Sequence, residues 1–187
     1  ASRADAVESL LRVEFKCNPD GRAILFHESI ADVMALYLRL QQAGFRAIAE
    51  HSRLPDSIRE EGLDLFRKGI AQVIVSAKSL IEGFNVPAVD VGIIVASSGS
   101  IRQRIQSLGR VLRRHRGPRG EEKTSSMHIL YTRETVDDMI YAKADWEQAT
   151  GVDQNIFYLW DLPDMPVEQP GPPRSPCLRT KRWMCPI

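Results

Sequence analysis

Gln72-Val73-Ile74-Val75-Ser76 opens on an amide, closes on a hydroxyl and is β-branched and apolar in between. Such side chains lose rotamer freedom in a helix and pack well on a pleated surface, so the run reads as a strand. A second compact apolar run, Ala23-Ile24-Leu25-Phe26, suits a buried parallel strand. Parallel strands need crossover connections, and the sequence on either side of Gln72 to Ser76 supplies them.

Upstream, a helix runs from Pro55 through Ile58, Leu63, Leu65 and Phe66 to Gly69, with Asp56, Glu60 and Glu61 near its N-terminal end, where the dipole favours them. Before it, Phe45 to Ala49 makes a short strand ending at Glu50-His51-Ser52. A further helix, capped by Ser29, carries Val33, Met34, Leu36, Tyr37 and Leu40 to a stop at Gly44. Ala4 to Val13 reads as a short amphipathic opening helix, and Asn18-Pro19-Asp20-Gly21 as a turn. Downstream, Val89 to Ala96 and Met127 to Tyr131 are expected strands, and Thr135 to Ala149 a helix. Alternating strand and helix units with short connections predict an α/β domain of three layers with a mainly parallel central sheet. Such a sheet places its binding loops at the carboxyl ends of the strands. His27 to Ser29, His51 to Ser52, Ser76 to Asn85 and Ser97 to Ser100 should therefore gather on one edge.

Between the fourth and fifth strands lies Ser100 to Arg116, SIRQRIQSLGRVLRRHR. On a helix, Gln106, Gly109, Arg110 and Arg113 share one arc, and Ile101, Ile105, Leu108 and Leu112 share another, turned well away from it. One face can press into a core while the other offers an amide and two guanidinium groups. Arginine suits bidentate recognition of phosphate and keeps its charge when partly desolvated. The seven arginines between Arg102 and Arg119 are also consistent with a solvated basic surface, and spacing alone leaves both readings open.

The chain has 187 residues, 43% hydrophobic and 26% charged, ordinary for a globular protein with one domain and a tail. A formal net charge of +1 says little about partners, because the arginines are clustered rather than in excess. Cys17, Cys177 and Cys185 are widely spaced, with no C-x-x-C pair, and read as free thiols rather than a zinc site; no metal site is expected within the chain. No apolar run approaches the roughly 20 residues that span a bilayer, and no signal-peptide pattern opens the chain. The expectation is a cytoplasmic protein, or a nuclear one in a eukaryote, with no membrane partner. Seven of the eleven prolines follow Leu162, so the last stretch reads as an extended tail, with Asn155 to Leu162 as an edge strand or strap before it. The expected divisions are 1–21, an opening helix and turn; 22–150, the α/β domain; and 151–187, strap and tail.

Together these pieces resemble the C-terminal RecA-like domain of superfamily 2 helicases and translocases, which have the P-loop NTPase type of fold. Ala23-Ile24-Leu25-Phe26-His27 is similar to motif IV, and His51-Ser52 with Arg59 and Phe66 to the segment after it. Ser76 to Pro87 resembles motif V, and Gln106-Ser107-Leu108-Gly109-Arg110-Val111-Leu112-Arg113 motif VI. The wording E-G-F-N-V-P and Q-S-L-G-R-V-L-R is closer to the restriction-enzyme and excision-repair helicase groups than to DEAD-box RNA helicases. The resemblance implies a nucleic-acid partner, DNA in particular, and a nuclease or restriction or repair subunit as a further partner. It implies ATP and Mg²⁺ as cofactors, bound mainly by a separate N-terminal RecA-like domain. Arg113 would then be the arginine finger, Arg110 a second γ-phosphate ligand and Gln106 a sensor of the phosphate, with Gly83 and Asn85 also touching nucleotide. Asn85 departs from the aspartate that many relatives carry and brings no charge. His27, Ser29, His51, Ser52, Ser76, Lys78, Ser79 and Arg102 would hold the sugar-phosphate backbone. Read without the resemblance, the serines could equally cap helices and the histidines be satisfied loop residues.

No G-x-x-x-x-G-K-[ST] phosphate loop occurs in the sequence, so the chain alone is expected not to hydrolyse ATP. The alternative is a catalytically silent nucleic-acid-binding or regulatory module with the same fold. A dinucleotide enzyme is disfavoured, since no G-x-G-x-x-G follows the first strand.

Overall fold

The computed structural model describes residues 2–77, 89–96, 105, 112, 115–116, 122–123, 125–132, 135, 137, 156–160 and 166–169. The helices α1 (Arg3–Cys17), α2 (Ile30–Gln42) and α3 (Asp56–Arg67) accompany the strands β1 (Ala23–His27), β2 (Ala47–Glu50), β3 (Val73–Ala77) and β4 (Val91–Ala96). Then come β5 (His115–Arg116), β6 (Glu122–Lys123), β7 (Ser126–Ile129), β8 (Phe157–Leu159) and β9 (Val167–Gln169).

Five strands form one sheet in the order β2-β3-β1-β4-β7, and every neighbouring pair in it is parallel. Side chains alternate across its plane. Ala23, Leu25, Val73, Val75, Val91, Ile93 and Val95 pack on one face with Val7 and Leu11 of α1 and Val33, Leu36 and Leu40 of α2. Ile24, Phe26, Ile74 and Ile94 pack on the other with Leu63 and Phe66 of α3, and with Ile105. Helices cover both faces, giving the expected three layers. Each large side chain buried in this way contributes about 1.5–3 kcal/mol relative to exposure.

Local chemistry fixes where the helices begin and stop. Ser2 caps α1 and Asp5 answers it in a capping box, so this helix starts earlier than Ala4 and runs past Val13 to Cys17. Val7 and Leu11 are fully buried, which makes α1 part of the same core. Arg39 of α2 pairs with Asp5 and Glu8 of α1, tying the two helices that share a face. Ser29 caps α2 as its position suggested, its hydroxyl accepting from the Asp32 N–H.

Both α2 and α3 end in the same way. Phe45 N–H donates to the Leu40 carbonyl and Gly44 N–H to that of Gln41. Ile70 N–H donates to Leu65 and Gly69 N–H to Phe66. These are Schellman endings, and each needs a residue in the left-handed region. Gly44 has φ 89° and Gly69 φ 73°. Phe45 is consumed by the first ending, which is why β2 begins at Ala47 rather than at Phe45.

Towards the C-terminus, the apolar stretch around Phe157 does not join the main sheet as an edge strand. Instead β8 pairs antiparallel with β9, Leu159 facing Val167, so part of the proline-rich stretch is a paired strand. The remaining tail, and all but two residues of the expected helix from Thr135 to Ala149, lie outside the described residues.

No heavy atom lies within 4 Å of where a Cβ on Gly44 would stand, so a substitution there acts through the backbone alone. Gly44→Ala is expected to cost about 1–2 kcal/mol, the usual penalty for an L-residue in the left-handed region. Urea unfolding of the two forms checks this through a lowered midpoint at unchanged slope.

Candidate functional site

The two edges of the sheet differ in what they offer. At the amino-terminal edge the polar groups satisfy one another: Arg22 N–H donates to Asp90 Oδ2 (2.9 Å), the Gln72 amide to the Pro19 carbonyl (2.6 Å) and Arg46 to the Gly69 carbonyl (3.3 Å). The carboxyl edge carries the loops.

Chain order identifies a crevice there. The connection after β1 leads through α2 to β2, two places away on one side, while β7, the next main-sheet strand after β4, lies on the other. Adjacent strands whose connections depart in opposite directions leave an opening outside their carboxyl ends. His27 stands at that point, opposite Ala96, just where the register between β1 and β4 shifts by one residue after Phe26. Shifts of this kind recur beside functional sites because they re-aim a side chain.

The side chain of His27 is 15% exposed, and its Nδ1 accepts the Ser29 N–H at 3.3 Å. That bond requires an unprotonated Nδ1. Burial pushes the imidazole below its ordinary value of 6.5, and this outweighs the pull of the Asp32 carboxylate 3.7 Å from Nδ1. His27 is therefore held as a neutral hydrogen-bonding ring rather than as a cation.

On the other side of β3, the loop after β2 brings His51 and Ser52 to the same edge. Ser52 is exposed, and the turn closes through Leu54 N–H to the His51 carbonyl. His51 is only 6% exposed, and its Nδ1 is the one buried side-chain nitrogen or oxygen among the described residues without a hydrogen-bond partner. Ser76 sits in β3 between Glu50 of β2 and Phe26 of β1. It is 2% exposed, and its hydroxyl donates to Glu50 Oε2 at 3.1 Å, so its one O–H is engaged inside the fold.

Glu50 is the residue that sequence reasoning passed over. It is 1% exposed, and its Oε1 accepts both Nε (2.9 Å) and Nη2 (2.6 Å) of Arg59, from α3. A carboxylate at the last position of an apolar strand, with an arginine in the first turns of the next helix, was the signal in the sequence.

Of the expected arginine helix, Ile105, Leu112, His115 and Arg116 are described, and the helix does not run to Arg116: Leu112 lies in a bend, and His115–Arg116 form β5, paired antiparallel with β6. Ile105 is helical and buried to 3% among Ile24, Phe26, Leu63 and Ile94. Leu112 packs against the same cluster. A Cβ on Gly92 of β4 would lie 3.0 Å from Leu112 Cδ1, so this segment approaches the sheet closely at Gly92. Two members of the apolar stripe thus lie where the stripe was expected. Lys78, Ser79, Gly83, Asn85, Arg102, Gln106, Arg110 and Arg113 lie outside the described residues.

A sequence profile of the helicase conserved C-terminal domain matches residues 3–115, which takes in α1 to α3 and four of the five main-sheet strands, β1 to β4. Among curated proteins, the DNA 3'-5' translocase XPB2 of Sulfurisphaera tokodaii is 35% identical over 79 residues, covering 42% of this chain and 17% of that protein. The ATP-dependent rRNA helicase rrp3 of Sclerotinia sclerotiorum is 29% identical over 91 residues, covering 49% of this chain and 19% of that protein. The matched stretch spans less than a fifth of the length of either relative. The solved helicase domain of Pyrococcus furiosus Hef superposes with a TM-score of 0.61 at 21% identity, over 76% of this chain and 28% of that one, which establishes the RecA-like fold.

Two measurements probe His27 and the packing of Leu112 on the sheet. A base whose folded value lies below its unfolded one contributes stability above pH 6.5 and loses it as the pH falls through the depressed value. The melting temperature should therefore fall more steeply from pH 7 to pH 5 than that of His27→Gln. Gly92→Val is expected to cost about 1–3 kcal/mol by overpacking Leu112, and adding Leu112→Ala should return part of that loss.

Proposed function

Since the chain belongs to the superfamily 2 family defined by the helicase conserved C-terminal domain, we propose that it is the C-terminal motor domain of an ATP-dependent helicase or translocase that moves on DNA. The observation that carries this is the seating of Ile105 and Leu112 against the sheet. On the helix at Ile105, sequence spacing turns Gln106 and Arg110 away from the face that packs, and Arg113 follows directly after the bend at Leu112.

In this reading the domain supplies half of an ATP site. ATP bound with Mg²⁺ on a preceding RecA-like domain supplies the phosphoryl group, and Arg113 and Arg110 meet the charge that develops on it. Fixed guanidinium groups placed in this way are worth roughly 10³ to 10⁵ in rate in other nucleotide hydrolases. Gln106 orients the phosphate, and Gly83 and Asn85 contact the nucleotide from the loop after β3. Glu50 is committed to Arg59 and Ser76, and no group of three metal-ligating side chains gathers among the described residues. In this reading the Mg²⁺ ligands belong to the preceding domain.

His27, Ser29, His51, Ser52, Lys78, Ser79 and Arg102 hold the sugar-phosphate backbone at the carboxyl edge, with Ser76 at the root of its loop. Hydroxyls, backbone N–H groups and neutral rings grip a strand without reading bases. DNA is favoured over RNA by the wording of motifs V and VI, and by the higher identity to a DNA translocase than to an rRNA helicase. A nuclease, restriction or repair subunit is the further partner that this wording favours.

ATP turnover with and without single-stranded DNA tests the proposal, on this chain and on a longer form that includes the preceding domain. This chain should be inert and the longer form stimulated by DNA. Arg113→Ala should lower turnover by about 10³-fold or more while nucleotide still binds. Undiminished hydrolysis without Arg113 would return the helix to the status of a basic surface.

A further inference from the structure

The Glu50 carboxylate sits almost fully inside the protein, at the end of a strand whose other residues are alanine and isoleucine. Burying a charge costs several kcal/mol, and buried ion pairs can often be exchanged for apolar residues at little loss of stability. Stability alone is therefore a poor account of Glu50, and its bonds suggest another.

Both Arg59 donors converge on Oε1, which leaves Oε2 for the Ser76 hydroxyl. The third Arg59 nitrogen, Nη1, reaches Asp56 at 3.4 Å. The chain Asp56, Arg59, Glu50, Ser76 thus runs from the first turn of α3, across the end of β2, to the end of β3. Residues 51–55, the loop that presents Ser52, lie between Glu50 and Asp56 and are pinned at both ends. On the far side, Ser76 precedes the loop of residues 78–88 that carries Gly83 and Asn85.

We infer that Glu50 is a positioning residue that couples the nucleic-acid grip to ATP hydrolysis, by holding the loop after β2 and the root of the loop after β3 to one carboxylate. This rests on the motor-domain reading above. Force on residues 51–55 from a bound strand passes through Arg59 and Glu50 to Ser76, and so to the loop that contacts nucleotide. A serine hydroxyl accepts as well as donates, so a glutamine could keep both links, its carbonyl facing Arg59 and its amide facing Ser76, whereas an alanine has neither group and loses both.

The test measures ATP turnover of the longer form as single-stranded DNA is titrated in, with melting temperature followed in parallel. Glu50→Ala should leave turnover without DNA within about twofold and lower the DNA-stimulated rate about tenfold, the scale of one charge-assisted hydrogen bond. Glu50→Leu combined with Arg59→Met removes both charges at similar volume, so it should keep the fold and lose the stimulation to the same extent. In both, the DNA concentration for half-maximal rate should stay near that of the parent, whereas general loosening would move stability, basal rate and DNA affinity together. A folded variant of either kind with parental stimulation would overturn the coupling while leaving the motor reading intact. A parent form that DNA does not stimulate would overturn that reading itself, and the coupling with it.

Discussion

Burial of both faces of a parallel sheet governs how everything else in this chain is arranged. Strands that alternate side chains into two apolar layers leave no sheet face for a polar function. Leu25 and Ile24 are neighbours in sequence, yet one packs under α1 and α2 and the other under α3. Chemistry is consequently driven to the ends of the strands. At the amino end, Arg22, Arg46 and Gln72 close off the backbone groups of neighbouring turns. The carboxyl end keeps the loops that can meet a ligand, and the change of direction between β1 and β4 opens a crevice beside His27.

At that end two kinds of polar group coexist, and burial separates their roles. His27 is partly buried, held neutral and bonded to the backbone of the loop that caps α2. Glu50 and Ser76 are deep enough to be unavailable to solvent, and their work is internal. Ser52 is exposed in a turn between them and α3. A surface group that grips and a buried group that transmits, joined by one arginine, is the economy expected of a domain whose proposed task is to link two ligands.

How much of this was legible in the residues follows from the range of the interactions involved. The strands around Ile24 and Ile74, the cap at Ser29 and the stops at Gly44 and Gly69 depend on neighbours within a few positions, and composition revealed them. Helical spacing, a local rule, also marked Ile105 and Leu112 as packing residues but not where the helix ends, since Leu112 lies in a bend and His115–Arg116 pair as β5. Boundaries shifted where a local contest was decided by a hydrogen bond, as when the Schellman ending claimed Phe45, or when the Ser2 and Asp5 capping box started α1 early. Glu50 was legible only in part, through Arg59 in the next helix. Its hydroxyl partner is 26 residues away, and only the register of β2 on β3 brings the two together. The pairing of β8 with β9 was hidden likewise, since prolines mask a strand whose partner lies outside the local window.

Amide hydrogen exchange on the longer form, with and without single-stranded DNA and a non-hydrolysable ATP analogue, tests most directly whether one edge of the sheet carries the function. The account predicts slower exchange on binding at residues 27–29, 51–54 and 77–87, with no change at 18–22, 43–46 and 69–72 on the opposite edge. Protection confined to those opposite turns, or none at the carboxyl edge under saturating ligand, would contradict it.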